Sequence, residues 1–151
     1  FSEILRRQCD LPIRFEQAEV NRPVIIVRGQ YRYQPIARNR THTDEYGDHF
    51  DRIDLFEHDH GEVKQSKSCR SFDKFCRFVG DRINRPVINE AGREPENFLT
   101  AGYHPADLRR AKAHGKIDEL SLLAHLHKQT GLRFEIELRS MRVLIVRRTE
   151  E

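Results

Sequence analysis

Residues 132–138, Leu-Arg-Phe-Glu-Ile-Glu-Leu, alternate apolar and charged side chains without a break. Successive side chains of a strand point to opposite faces, so this pattern predicts a strand that buries its leucines, Phe134 and Ile136. Arg139-Ser140 favours a turn, and residues 141–147 predict a returning strand. The segment before this pattern has apolar residues at helical spacing, and Thr130-Gly131 predicts its end. The predicted apolar face of that helix comprises Ile117, Leu120, Leu123, Ala124 and His127, widened by Leu122 and Leu126. The carboxyl-terminal part is therefore predicted to be a helix followed by a β-hairpin.

The amino-terminal part repeats this pattern. Residues 1–28 align with residues 120–147 at a constant offset of 119, without a gap. The identical pairs are Ser2/Ser121, Arg14/Arg133, Phe15/Phe134, Glu16/Glu135, Val24/Val143, Ile26/Ile145, Val27/Val146 and Arg28/Arg147. We therefore expect a second helix and hairpin, with strands at 13–17 and 24–28, a turn at 21–23, and Phe15 and Phe134 both buried. A unit of this kind implies stacking against sister units.

A third helix is predicted between the two copies. Phe72, Phe75, Cys76, Val79 and Ile83 lie at helical spacing, Ser71 is placed to cap the helix, and Pro86 ends it. Short strands at 86–89 and 98–103, with a turn at Ala91-Gly92, would make a third, diverged copy of the unit. Further strands are expected at 31–36 and 52–57, and a short basic helix or a lid at 106–115.

The predicted fold class is α+β, with repeated helix–strand–strand units and antiparallel sheets that carry helices on one face. Residues 1–70 are expected to form a diverged first half and residues 71–151 the second half. One compact pseudo-repeated domain is the alternative. The chain begins at Phe1 rather than Met, so we expect a processed form or an excised domain.

Composition excludes few functions. Lys and Arg exceed Asp and Glu by only three, and basic and acidic residues are interleaved, so binding to nucleic acid is not expected. No apolar run is long enough for a membrane span. Cys76 lies on the predicted helix face and favours a buried, inert thiol. The chain has three cysteines, Cys9, Cys69 and Cys76, and this odd number defines no disulfide framework.

Two motifs resemble known families. Gln129-Thr130-Gly131-Leu132, with the alternating strand and Val-Leu-Ile-Val strand after it, resembles the short amino-terminal domain of secretins and TonB-dependent receptors. Residues 71–92 resemble a bacterial domain family of unknown function with an Arg-Pro-Val-x-Asp-x-Thr-Gly motif, although Asn89 and Ala91 stand at the Asp and Thr positions. The two resemblances together cover residues 71–148. They imply a non-catalytic, extracytoplasmic bacterial module, in the periplasm or envelope, that contacts a protein partner or other domains of its parent protein. They imply no catalytic residue and no cofactor.

A metal-binding or enzymatic domain is the first alternative. His58 and His60 would point to one face of a strand, and Glu62 could add a ligand. Since two imidazoles without a defined third ligand bind weakly, a solvated polar turn is the competing interpretation of this cluster.

An RNA-binding module is the second alternative. Tyr31 and Tyr33 flank Arg32 on a predicted strand and could stack on bases if they were exposed. They could equally form one half-buried strand face.

The partner-binding candidates are Arg142 and Arg147, which lie beside the apolar residues of the last strand. If that strand is at a sheet edge, its backbone could accept an added strand. If it is central, the arginines serve only to solubilise the sheet.

Overall fold

The computed structural model describes residues 13–36, 42–43, 49–56, 65–111 and 117–148. The described elements are β1 (Ile13–Gln30), β2 (His42–Thr43), β3 (His49–Asp54), β4 (Gln65–Cys69), α1 (Phe72–Ile83), β5 (Val87–Arg93), β6 (Phe98–Tyr103), α2 (Pro105–Ala111), α3 (Glu119–Thr130) and β7 (Arg133–Arg148). They form a three-stranded sheet of order β5-β1-β7 and a four-stranded sheet of order β2-β3-β6-β4. The predicted α+β class is confirmed.

The chain divides into two compact units. Unit 1 comprises residues 1–23 and 138–151, of which 13–23 and 138–148 are described, and unit 2 comprises residues 24–137. Both terminal parts of the chain contribute to unit 1.

Both predicted hairpins are wrong. Residues 13–30 form one strand through the expected turn at 21–23, and residues 133–148 form one strand through Arg139-Ser140. The two strands are neighbours in the first sheet, so each obtains its hydrogen-bonding partner from the other repeated segment rather than from its own second half. Phe15 and Phe134 are both half-buried rather than buried, and the helix expected before β1 lies outside the described residues.

The sheets are mixed rather than antiparallel. β1 pairs with β5 in parallel, with Ile25 opposite Val87, and β3 pairs with β6 in parallel, with Ile53 opposite Ala101. β4 is antiparallel to β6. The predicted turn at Ala91-Gly92 lies within β5. A parallel pair needs a crossover connection, and α1 lies in the connections that lead to β5 and β6.

α1 forms for the reasons that the sequence indicates. The Ser71 side chain accepts a hydrogen bond from the Lys74 amide at 3.3 Å, and Asn84 ends the helix in the left-handed conformation with φ of 54°. The predicted apolar face is buried. This helix contacts β5 of the first sheet and β4 and β6 of the second.

α3 has the predicted end, but its predicted face is confirmed only at Leu122, Leu123 and Leu126. Asp118 caps its amino terminus, and Gly131 ends it with φ of 67°. Leu120 is 72% exposed, and Ala124 and His127 are also exposed. The buried face instead comprises Leu122, Leu123, His125, Leu126, Gln129 and Thr130. Apolar residues occur on several sides of this helix, so periodicity alone did not define the side that packs.

The core of unit 2 is a single cluster of buried side chains. The largest contributions come from β1, β3, β6, α1 and α3, including Ile25, Ile53, Leu99, Phe75 and Leu126, each at most 1% exposed. Among the described helices, none is long and apolar enough to cross a membrane.

Candidate functional site

β7 lies at an edge of the first sheet. β1 pairs with it on one side, and no other described strand pairs with it on the opposite side. In unit 1 its side chains Leu138, Leu144 and Val146 are 74%, 58% and 58% exposed. Leu144 follows Leu138 by six residues and Val146 follows Leu144 by two, so the three side chains share one face of the strand. An edge strand with exposed apolar side chains presents both backbone hydrogen-bonding groups and apolar surface to a partner.

The two arginines proposed for partner binding differ in their surroundings. Arg147 donates from Nε to Glu16 Oε2 at 2.8 Å, within unit 1, and both side chains are about half exposed. Arg142 is exposed, lies on the same face as Leu144, and forms no ion pair within the described part of the chain. Arg142 is therefore the better placed of the two to meet an acidic partner.

Within unit 2, the neighbouring part of β7 is occupied by an ionic network. Arg28 donates from Nε to Glu90 at 2.9 Å and from Nη1 to Glu135 at 2.7 Å and to Glu137. These hydrogen bonds, the one with Glu137 above all, raise the pKa of Arg28, which stays charged at every accessible pH. The predicted alternation of β7 is thus kept, but Glu135 and Glu137 are half-buried whereas Ile136 is 40% exposed. The inward face predicted for this strand is wrong beyond Phe134.

Tyr31 and Tyr33 do not form an exposed stacking platform. The Tyr31 hydroxyl donates to Asp51 Oδ2 at 2.9 Å, and the Tyr33 hydroxyl donates to the Arg52 carbonyl oxygen at 3.1 Å. Tyr31 is 9% exposed, and Tyr33 packs partly against the core. Both rings are held against β3, so the exposed aromatic pair that RNA binding would need is contradicted. The strand predicted at 31–36 is also wrong, because β1 ends at Gln30 and these residues lie outside the strands.

The two described cysteines are free and buried. Burial raises the pKa of the Cys76 thiol to about 12 and also raises the pKa of Cys69. Because the thiolate is the reactive form, neither side chain is a nucleophile near neutral pH. Cys9 lies outside the described residues.

The residues of the predicted metal site are not among those that the structure describes. His58, His60 and Glu62 lie outside the described residues. Within the residues that are described, no group of three or more His, Cys, Asp or Glu could hold a metal ion.

The Gln129-Thr130-Gly131-Leu132 motif has a structural role. The Gln129 side chain accepts from the Asp54 amide at 2.9 Å and donates to the Asp54 carbonyl oxygen at 2.7 Å, so it pairs with β3 as a backbone would. The Thr130 hydroxyl donates to the Leu126 carbonyl oxygen and accepts from the Leu132 amide. The motif therefore joins the end of α3 to the second sheet.

A second surface feature was missed by sequence reasoning. An open groove of about 550 Å³ in unit 2 is lined by Gln30, Arg32, Gln34, His127, Lys128 and Gly131. The signal that could have indicated it was the alternation of residues 30–34, in which buried or half-buried tyrosines separate exposed polar side chains. The partners of this segment on α3 are about 95 residues away in the sequence, and only the fold brings them together.

No protein-family model, curated protein or solved structure matches this chain.

Proposed function

We propose that this protein is a non-catalytic interaction module that binds an extended segment of a protein partner along β7. The observation that carries the proposal is the open edge of this strand in unit 1, where exposed apolar side chains lie on the same face as Arg142. Strand addition gives affinity through backbone hydrogen bonds and specificity through alternate side chains.

The side chains of β7 define the chemistry of the partner. A strand added to the edge places its residues directly opposite those of β7, about 5 Å away. Leu144 and Val146 favour apolar residues opposite them, and Arg142 favours a carboxylate at the next position on that face. The proposed partner is therefore an extended segment with two apolar residues and one acidic residue at successive alternate positions.

The resemblance of residues 71–148 to envelope domain families supports an extracytoplasmic location in bacteria. It equally supports a partner among envelope proteins or other domains of the parent protein. No described residue favours the metal or RNA alternatives over this one.

A labelled peptide tests the proposal. The peptide carries valine, valine and glutamate at three alternate positions with threonines between them, and a control peptide has lysine in place of glutamate. By fluorescence anisotropy we expect the first to bind with a Kd on the order of 10–100 μM, or about −5.5 to −7 kcal/mol, and the second to bind at least tenfold more weakly. Arg142→Glu should reverse this preference, whereas Arg77→Glu, which changes an exposed arginine on α1, should not.

A pair of proline variants tests the role of the backbone. Successive amides of an edge strand point alternately to the neighbouring strand and to the open edge. Of Leu144→Pro and Ile145→Pro, one should therefore fold normally but lose the peptide, and the other should be destabilised through loss of a bond to β1. If the variant that folds binds the peptide as the unmodified protein does, strand addition at this edge is refuted.

A further inference from the structure

The groove at the end of α3 is built by two segments, residues 30–34 and the last turn of α3, which are joined by backbone hydrogen bonds. The backbone amides of Arg32 and Gln34 donate to the carbonyl oxygens of Thr130 and Gln129, both at 2.8 Å. The extended segment after β1 therefore runs along the carboxyl end of the helix.

Successive side chains of this segment point alternately towards β3 and towards the groove. Tyr31 and Tyr33 are anchored to β3 through their hydroxyl groups, so Gln30, Arg32 and Gln34 point to the other side and are exposed. These three side chains form one wall of the groove, and His127 and Lys128 on the last turn of α3 line the rest together with Gly131.

Gly131 allows the two segments to approach. A Cβ atom at this position would lie 3.3 Å from the Arg32 Cβ and 3.5 Å from the Arg32 carbonyl oxygen, and φ of 67° disfavours a side chain in any case. A larger residue at 131 would strain the junction and fill the space beside Arg32.

The cations of the groove are not needed to cap the helix. The terminal carbonyl oxygens of α3 accept hydrogen bonds from other groups, which are the Thr130 hydroxyl and the amides of Gly131, Gln34 and Arg32. His127 is also constrained, because its Nδ1 lies 2.8 Å from the Leu132 carbonyl oxygen and must donate to it. Its Nε2 is the ring nitrogen left for a ligand.

The charge of the groove is one-sided. Arg32 and Lys128 contribute two positive charges. Among the described residues, no carboxylate lines the groove and neither cation forms an ion pair. We propose that this groove is a binding site for a small molecule that carries a phosphate or carboxylate group. The planar guanidinium of Arg32 can bind two oxygens of either group, and Lys128 adds a second charge-assisted hydrogen bond.

The remaining lining residues indicate the rest of the ligand. Gln30 and Gln34 carry amides that both donate and accept hydrogen bonds, which suits neighbouring hydroxyl or amide groups. A volume of about 550 Å³ lies within the range of small-molecule sites. This site is separate from the proposed edge of β7 and does not depend on it.

Titration of the isotope-labelled full chain, followed by amide chemical shifts at low ionic strength, tests the proposal. The probes are inorganic phosphate, succinate and glucose 6-phosphate, with glucose as the uncharged control, each at about 20 mM because millimolar Kd values are expected for small anions. The amides of 30–34 and 127–131 should shift with an anion and not with glucose. Binding of phosphate alone, of succinate alone or of both supports the site and identifies the group that it accepts.

Matched variants separate a built site from general attraction of anions. Arg32→Gln should raise the Kd about tenfold or more, the value of a charge-assisted hydrogen bond, and Lys128→Gln should raise it severalfold. Arg77→Gln and Lys74→Gln remove the same charges from exposed positions on α1 and should leave the Kd within about twofold. Arg32→Lys should bind more tightly than Arg32→Gln but more weakly than the unmodified protein, because lysine keeps the charge but cannot bind two oxygens at once as a guanidinium does. The proposal is overturned if no anion shifts these amides, or if Arg32→Gln and Arg77→Gln weaken binding equally in folded protein.

Discussion

Replacement of Gln129 tests the junction between α3 and the second sheet. This side chain is 0% exposed and exchanges two hydrogen bonds with the backbone of Asp54 on β3. Gln129→Met keeps the length and volume of the side chain but can neither accept from the amide nor donate to the carbonyl oxygen.

The expected cost follows from the groups left behind. A buried backbone group that loses its partner costs about 1–3 kcal/mol, so the amide and carbonyl of Asp54 together predict a loss of about 2–6 kcal/mol. Gln129→Ala should cost about 2 kcal/mol more, because it also empties part of a packed site. Ala124→Met places the same side chain on the exposed side of α3 and should change the stability by less than about 0.5 kcal/mol.

Urea denaturation followed by circular dichroism measures these differences in the free energy of unfolding. The midpoint should fall strongly for Gln129→Met at an unchanged slope, since the exposed surface of the unfolded chain is nearly the same. If Gln129→Met is no more destabilising than Ala124→Met, the paired hydrogen bonds to β3 do not stabilise the fold and the structural role assigned to the motif is wrong.

Two further predictions concern unit 2. Burial raises the pKa of Tyr33 to about 12 and also raises the pKa of Tyr31, whereas both titrate near 10 in an unfolded chain. The unfolded state therefore loses its protons first, and the stability that is complete below about pH 10 should fall as the pH rises towards 12. Denaturation midpoints at pH 8, 10 and 11 measure this fall in stability. Tyr33→Phe should make the fall smaller. If the tyrosinate absorbance of Tyr31 and Tyr33 appears in folded protein with a midpoint near pH 10, the prediction is wrong. Gly80→Ala should destabilise by about 1–2 kcal/mol in spite of the better helix propensity of alanine, because its Cβ would lie 2.5 Å from the Arg85 carbonyl oxygen. Gly92→Ala, whose Cβ would meet only ordinary contacts, is the matched control. Equal denaturation midpoints for the two variants would show that the end of α1 shifts without cost and that the prediction is wrong.

Local features of the fold were predictable wherever a nearby residue provides the interaction. The cap at Ser71 and the end of α3 at Gly131 depend on groups within four residues of each other, and the apolar face of α1 follows from apolar residues spaced three and four apart. Helical periodicity, capping side chains and glycine conformation act at that range, so sequence patterns were sufficient for them.

The pairing of the strands depends on contacts between distant parts of the chain. Asn21-Arg22-Pro23 and Arg139-Ser140 have residues that favour turns, yet β1 and β7 pass through both positions without turning. A turn is a weak local preference, and a long ladder between two distant strands outweighs it. For the same reason, the parallel pairs β1–β5 and β3–β6 could not be derived from residues that are far apart in the chain.

For both candidate sites, the residues could be found in the sequence but their exposure could not. The apolar and basic side chains of β7 were visible in the sequence, but whether they face solvent depends on the position of the strand at the sheet edge. The tyrosine pair was visible too, but its contacts with β3 turned the rings inward and left Arg32 outward. The residue types that alternate along each strand can be read from the sequence. Which of the two faces is buried cannot, because burial depends on what packs against the strand.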